Sequence, residues 1–228
     1  MTFKELLVKE NIELSDYQIR QFENYCDLLI EWNKKFNLTA ITDRQDVYVK
    51  HFLDCMMLNN YQLHGRLADV GTGAGFPGIV LKITNPDLDI VLLEPNNKKI
   101  MFLNEVISQL NLTGIKAVNQ RSEDFAADHF ESFDYVTSRA VAALNILDEL
   151  CLPLVKVGGH FLAMKGPKAN EELQLAQNGI EILGGQVKSV QQNGLANDNC
   201  RIIIDVEKGN HCLRKYPRNF SQIKKKPL

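Results

Sequence analysis

The chain has 228 residues, 45% hydrophobic and 24% charged, with a formal net charge of -2. That length buries a full core and suits one main domain with a small appendage, in the composition range of soluble globular proteins. No apolar run approaches the ~20 residues needed to cross a bilayer, and charges throughout MTFKELLVKE at the N-terminus argue against a secretory signal. The five cysteines, Cys26, Cys55, Cys151, Cys200 and Cys212, form neither a CxxC pair nor a Cys/His cluster. They read as small buried hydrophobes in a reducing cytoplasm, and no metal site is expected.

Residues 1–64 read as a helical extension. Ser15 and Gln18 have capping-box spacing, and Ile19, Phe22, Cys26 and Leu29 follow at helical intervals. A second helix is expected over DRQDVYVKHFLDCMMLNNY, after a polar turn. From Arg66 the texture changes: the β-type runs RLADV, DIVLLE, IKAVN, FDYVTS and GHFLAMKG alternate with helical stretches such as NKKIMFLNEVISQL and AALNILDELCLPLV. Nearly continuous apolar strands separated by helices predict an α/β fold, a mostly parallel sheet covered on both faces. GQVKSV and CRIIIDV, joined by the polar QQNGLANDN, predict an antiparallel hairpin closing the sheet. The α/β core is thus expected over 65–208 and a basic tail over 209–228. Residues 211–228 hold Arg214, Lys215, Arg218, Lys224, Lys225 and Lys226 without one acid. Such a tail points to nucleic acid or to a solubilising, partly disordered terminus.

The chemistry concentrates in LADVGTGAGFPGIVL, Leu67 to Leu81, where the first strand breaks into glycines. Ligands of doubly wound sheets sit at such strand ends. Gly73, Gly75 and Gly78 match the dinucleotide fingerprint literally, but a lone match is weak. Gly71 takes the first turn position, Asp69 would repel a pyrophosphate, and Pro77 removes an N–H from the helix start. No Gly-Lys-Ser/Thr follows, which excludes a P-loop. S-adenosylmethionine carries no phosphate and suits this loop: Gly71 and Gly73 leave room for its methionine part. Glu94, 23 residues after Gly71 at the end of the second strand, can accept both ribose hydroxyls. Ser122 and Glu123, after the third strand, are candidates for the adenine edge, or a helix N-cap with an acidic first turn. Arg139, after the fourth strand, is placed for the cofactor or an anionic substrate. Lys165 and Lys168, after the fifth, are candidates for phosphate contact.

The fourth strand end reads TSRAVA, not the Asn/Asp-Pro-Pro-aromatic segment commonly used on exocyclic amines. A cysteine nucleophile, as pyrimidine-carbon methylation needs, is not offered there either. A ring nitrogen needs neither, and its methylation rests on positioning.

These motifs, together with WNKKFNLTAI, HFLDC, LDELCLPLVKVGG, MKG and YPR in that order, resemble the bacterial 16S ribosomal RNA guanine-N7 methyltransferase family RsmG, also called glucose-inhibited division protein B. The similarity spans nearly the whole chain. It implies a Rossmann-like S-adenosylmethionine-dependent methyltransferase fold with a small N-terminal helical extension. It also implies methyl transfer to N7 of a guanine in the 530 loop of small-subunit rRNA, as 16S rRNA or as the 30S subunit. Gly71, Phe76, Ser122, Glu123 and Arg139 match the family's cofactor contacts, and Arg214, Arg218, Lys224 and Lys225 fall in its basic end. The family usually has Arg and Ser where this chain has Lys50 and Cys55. His51 and Asp54, one helical turn apart, could dock the N-terminal helices against the cofactor face with Trp32 and Asn37. A histidine on such a helix is more often a satisfied structural residue. A small-molecule methyltransferase and a noncatalytic RNA-binding protein are the competing readings, and no residue is assigned a catalytic role.

Overall fold

The computed structural model describes residues 1–194 and 200–228. Its seven strands form one sheet in the order β3-β2-β1-β4-β5-β7-β6. The first five, β1 (Arg66–Val70), β2 (Asp89–Leu93), β3 (Ile115–Val118), β4 (Phe133–Arg139) and β5 (Val155–Lys165), run parallel; β7 (Cys200–Lys208) inserts antiparallel between β5 and β6 (Gly185–Gly194). The expected hairpin therefore closes the sheet, with β6 running four residues further than GQVKSV suggests. Residues 195–199 of its loop, and the side chain of Cys200, lie outside the described residues.

Period-two alternation assigns each strand residue to one of two cores. Leu67, Ile90, Leu92, Leu162 and Ile203 face one side; Ala68, Val91, Leu93, Val136, Phe161 and Ile204 face the other. The second side is covered by α7 (Ser122–His129), α8 (Leu144–Cys151) and α9 (Ala169–Ile182). The first is covered by α5 (Gly78–Thr84) and α6 (Asn97–Gln109), and by the helices that precede the sheet. Edge strand β3 is only half-buried, unlike the continuous apolar burial of β1 and β2.

Residues 1–64 fold as helices, and their apolar faces belong to the same cluster as α5 and α6. α1 (Phe3–Lys9) and α2 (Asp16–Phe36) each begin with a complete capping box, Thr2 with Glu5 and Ser15 with Gln18. The predicted Ile19, Phe22, Cys26 and Leu29 stripe is buried. α2 is tied to the sheet domain by polar bonds as well, from Gln18 Nε2 to the Ile83 carbonyl (2.8 Å) and Gln21 Nε2 to the Leu110 carbonyl (2.9 Å). The helix expected over 43–61 is a composite: α3 (Arg44–Val47), a π-helical turn (Tyr48–Leu53), α4 (Asp54–Met56) and a 3-10 turn (Met57–Tyr61).

The C-terminal segment is anchored at intervals. Cys212, Tyr216 and Ile223 are buried, and it ends in the short α10 (Phe220–Lys225). Arg218 is spent on Glu149 of α8, with Nε at 2.8 Å from Oε1 and Nη2 at 2.5 Å from Oε2. The Glu149 side chain is 0% exposed and that of Arg218 25%. Removing the arginine leaves a buried carboxylate without a counter-ion, a loss of about 3–5 kcal/mol. Arg218→Ala is therefore expected to lower the unfolding free energy by roughly 3 kcal/mol in urea titrations, while exposed Lys224→Ala stays within about 0.5 kcal/mol.

Candidate active site

β1 ends at Val70 and the chain turns at once. The Gly71 and Thr72 N–H groups both donate to the Leu93 carbonyl, at 2.9 and 3.1 Å. Gly71 and Gly73 have φ of +68° and +62°, a backbone region open to glycine at no steric cost. A Cβ on Gly71 would also lie 2.5 Å from Val141 Cγ2, whereas on Gly73 it would meet nothing nearer than 4.0 Å.

Asp69 does not face the cleft. Its Oδ2 turns under the loop and accepts from Thr72 Oγ1 (2.6 Å) and the Gly78 N–H (2.8 Å), stapling the two ends of the loop together. Burial pushes its carboxyl up to about 6, against those two bonds. Glu94 is buried at the end of β2 and holds the loop from the other side. Its Oε2 accepts from Gly73 N–H (3.1 Å) and Oε1 from Asn96 N–H (2.9 Å). Each carboxylate oxygen retains a lone-pair direction for a further donor.

Phe76 and Arg139 are brought together, but inside a wall. The Phe76 ring is 5% exposed, stacked against Tyr25 (5.4 Å between centroids) and His51 (4.3 Å). Above it, 5.0 Å from the ring centre, lies the Arg139 guanidinium. Its Nη1 donates to Asp54 Oδ2 (2.8 Å) and the Lys50 carbonyl (3.1 Å), and Nη2 to His51 Nδ1 (2.7 Å). Among the described residues, Nε–H and one Nη2–H have no partner. Arg139 was expected at the mouth of the sheet; it is there, but most of its donors serve the N-terminal helices.

His51 and Asp54 dock those helices, as their spacing suggested, through partners the sequence did not reveal. Asp54, 1% exposed, also takes Arg201 Nε (2.6 Å) and Nη2 (2.7 Å) from β7. A guanidinium only donates, so His51 Nδ1 accepts and its Nε2–H donates to Thr39 Oγ1 at 3.0 Å. The chain reaches Thr39 because Asn33 Oδ1 receives the Thr39 N–H (2.8 Å); Asn37 ends α2 in the left-handed region and is exposed. Trp32 packs on Phe36 and Phe102 instead. Lys50 pairs with Asp46, and Cys55 is buried.

The third-strand candidates need correction. Arg121, not Ser122, is the N-cap of α7, and it makes no side-chain cap. Ser122 is buried with its hydroxyl donated to the Leu150 carbonyl, so it has no hydroxyl proton left for an adenine. Ser122 and Glu123 nonetheless line a cavity of about 100 Å³ with Gly71, Val141, Leu150 and Phe220. Of the phosphate candidates, Lys165 is buried and paired with Glu172 at 2.6 Å, and Arg218 is held by Glu149. Lys168, Arg214, Lys224 and Lys225 are exposed, Arg214 lying over the Phe130 ring.

Reasoning from the sequence missed Tyr25, whose hydroxyl donates to the Ala74 carbonyl in the loop (2.5 Å), and Phe220 at the cavity rim. Tyr25 had a signal, a place beside Cys26 on the predicted stripe. Arg201, 147 positions from Asp54, had none.

The His51 environment predicts an acid response. Burial, then the Arg139 charge, push its pKa down to about 3 from the ordinary 6.5. Below the unfolded value the unfolded chain takes up a proton that the fold refuses. This contribution to stability is complete above about pH 6.5 and is lost progressively as pH falls toward 3. His51→Gln keeps one acceptor and one donor without the titration. Between pH 7 and 4.5 the parent protein should lose Tm more steeply than the variant; parallel curves would contradict the assignment.

Comparison with known proteins places this arrangement. A family model described as rRNA small subunit methyltransferase G matches residues 18–201. A protein of Staphylococcus carnosus named ribosomal RNA small subunit methyltransferase G is 46% identical, covering 98% of this chain and 96% of its own. A Macrococcus caseolyticus protein of the same name is 44% identical, covering 100% and 98%. Among solved structures, a precorrin-6y C5,15-methyltransferase from Geobacter metallireducens superposes with a TM-score of 0.53 at 17% identity, over 74% of this chain and 90% of its own. A 16S rRNA (adenine(1408)-N(1))-methyltransferase variant from Catenulisporales acidiphilia gives 0.52 at 15% identity, over 64% and 85%. These neighbours share the Rossmann-like methyltransferase fold; a TYW2 from M. jannaschii, 17% identical over 63% of this chain and 68% of its own with a TM-score of 0.50, was solved in complex with AdoMet. With its N-terminal helices, glycine loop and closing hairpin, the chain belongs to the rRNA small subunit methyltransferase G family.

Proposed function

We propose that this protein transfers a methyl group from S-adenosylmethionine to N7 of a guanine in the 530 loop of 16S rRNA, as free RNA or within the 30S subunit, in the cytoplasm. One observation supports the choice of a ring nitrogen: the histidine, aspartates and cysteines nearest the glycine loop are committed to structure. His51 is neutral with both ring nitrogens bonded, and Asp54 and Asp69 hold two arginines and the glycine loop. Burial pushes the Cys55 thiol up to about 12 and raises that of Cys151 well above its ordinary value, so neither offers a thiolate. A nucleophile bringing its own lone pair and losing no proton fits such a site.

The residues suit the cofactor. Glu94, with a lone-pair direction left on each oxygen, matches a ribose diol. The open space beside Gly73 and the two spare N–H groups of Arg139 match a methionine part with its carboxylate. The cavity bounded by Ser122, Glu123 and Phe220 is about 100 Å³, against roughly 300 Å³ or more for a drug-sized ligand. Admission of the nucleoside therefore requires Val141, 42% exposed on the β4–α8 loop, to move aside. When bound, S-adenosylmethionine supplies a methyl group on a sulfonium, which a ring nitrogen takes with its own lone pair, the positive charge passing from sulfur to the ring. The chain's own contribution is orientation: Glu94 and Arg139 are fixed before binding, and Asp69 keeps the loop between them rigid. Lys168, Arg214, Lys224 and Lys225 supply the phosphate contacts, while Lys165 and Arg218 act from within.

Three measurements test this. Purified protein should transfer labelled methyl to 30S subunits or rRNA from cells lacking it, with 7-methylguanosine as the modified nucleoside on mass spectrometry; another methylated nucleoside would refute the N7 assignment. Gly71→Asp forces a charged side chain into Val141 at a left-handed backbone position. Its affinity for S-adenosylmethionine by calorimetry should fall by roughly 100-fold, about 2.7 kcal/mol. The double substitution Lys224→Ala, Lys225→Ala should weaken RNA binding and reduce its salt slope by about 1–2, leaving cofactor affinity unchanged.

A further inference from the structure

A second cavity, of about 460 Å³, opens on the other side of the β4–α8 loop, where β5 and β7 meet. Val141 borders both this space and the cofactor-side cavity. The walls away from it carry Lys165, Glu172 and Arg201. Glu172 Oε2 accepts both the Leu144 N–H (2.7 Å) and the buried Lys165 Nζ (2.6 Å). It thereby caps α8, whose N-cap residue Ala143 offers no side-chain bond. Among the described residues Oε1 accepts no bond. The carboxylate is thus locked in orientation with one oxygen to spare.

A guanine presents donors, N1–H and the 2-amino group, on one edge and acceptors, O6 and N7, on another. We propose that this second cavity receives the target guanine, with Glu172 Oε1 accepting from the N1–H and 2-amino edge so that N7 is turned toward Val141 and the cofactor side. Adenine, with an acceptor at N1, would face the carboxylate with its lone pair and be rejected. The contact also favours the reaction: as the ring becomes cationic its N1–H is a stronger donor, so the bond to Glu172 tightens during transfer. The inference rests on the guanine-N7 reading and deepens it by naming the group that selects the base.

The test uses 30S subunits carrying either guanine or inosine at the methylated position; inosine lacks only the 2-amino group. Absence of transfer to guanine-containing subunits by the parent protein would overturn the functional reading itself, and this proposal with it. Given transfer, the parent protein is expected to lose about tenfold in kcat/KM on inosine, because Oε1 loses a donor. Glu172→Gln is expected to lose about tenfold or more on guanine, chiefly in kcat, and to treat the two bases alike within roughly twofold, with calorimetric affinity for S-adenosylmethionine unchanged. A purely structural Glu172 would leave the inosine discrimination intact in the variant, and that result would overturn the proposal. Equal rates of the parent protein on both bases would overturn it as well, and that comparison needs no variant to fold.

Discussion

The Asp54 carboxylate, buried between the guanidinium groups of Arg139 and Arg201, joins three parts of the chain that are remote in sequence. It comes from the helices that precede the sheet, Arg139 from the end of β4, and Arg201 from the start of β7. Burying such a cluster adds little net stability, because desolvation offsets the attraction. What it supplies is position. Two arginines share this one aspartate, and the His51 beside them is neutral. The π-helical turn Tyr48–Leu53 presents both the Lys50 carbonyl and His51 to the same guanidinium. Arg139 is therefore oriented by the N-terminal helices rather than by its own strand.

The glycine loop is built by the same logic. Its shape is imposed from beneath by Asp69, from the side by Glu94, and from the N-terminal helices by the Tyr25 hydroxyl. Only Gly71 and Gly73 among the loop glycines are partly exposed, and both have the left-handed backbone that makes them glycine. The loop thus offers a bare surface held on three sides. The mobile element this account calls for is the exposed Val141, between the two cavities. That division of labour fits a transfer that depends on holding two reactants in line.

Local patterns in the sequence carried the architecture. Apolar runs bounded by turns located every strand, the Ser15 box located α2, and the glycines located the turn that follows β1. The composite 43–61 helix was not legible, since a π turn leaves no mark in apolar spacing. Nor were the ion pairs. Lys165 and Arg218 look like surface cations because their partners, Glu172 and Glu149, lie in other elements. Ser122 looked like an N-cap because capping chemistry was present at the right offset, yet α8 took its hydroxyl. Charge in a sequence shows where a cation is, and only the fold shows whether it is already neutralised.

The central claim is that the N-terminal helices aim Arg139 toward the glycine loop through Asp54, a residue 1% exposed. Its most direct test is the calorimetric affinity of Asp54→Asn for S-adenosylmethionine, measured at a temperature where circular dichroism shows the variant folded. The account predicts at least a tenfold loss, about 1.4 kcal/mol, because Arg139 and Arg201 lose the carboxylate that aims them. An affinity unchanged from that of the parent protein would contradict it.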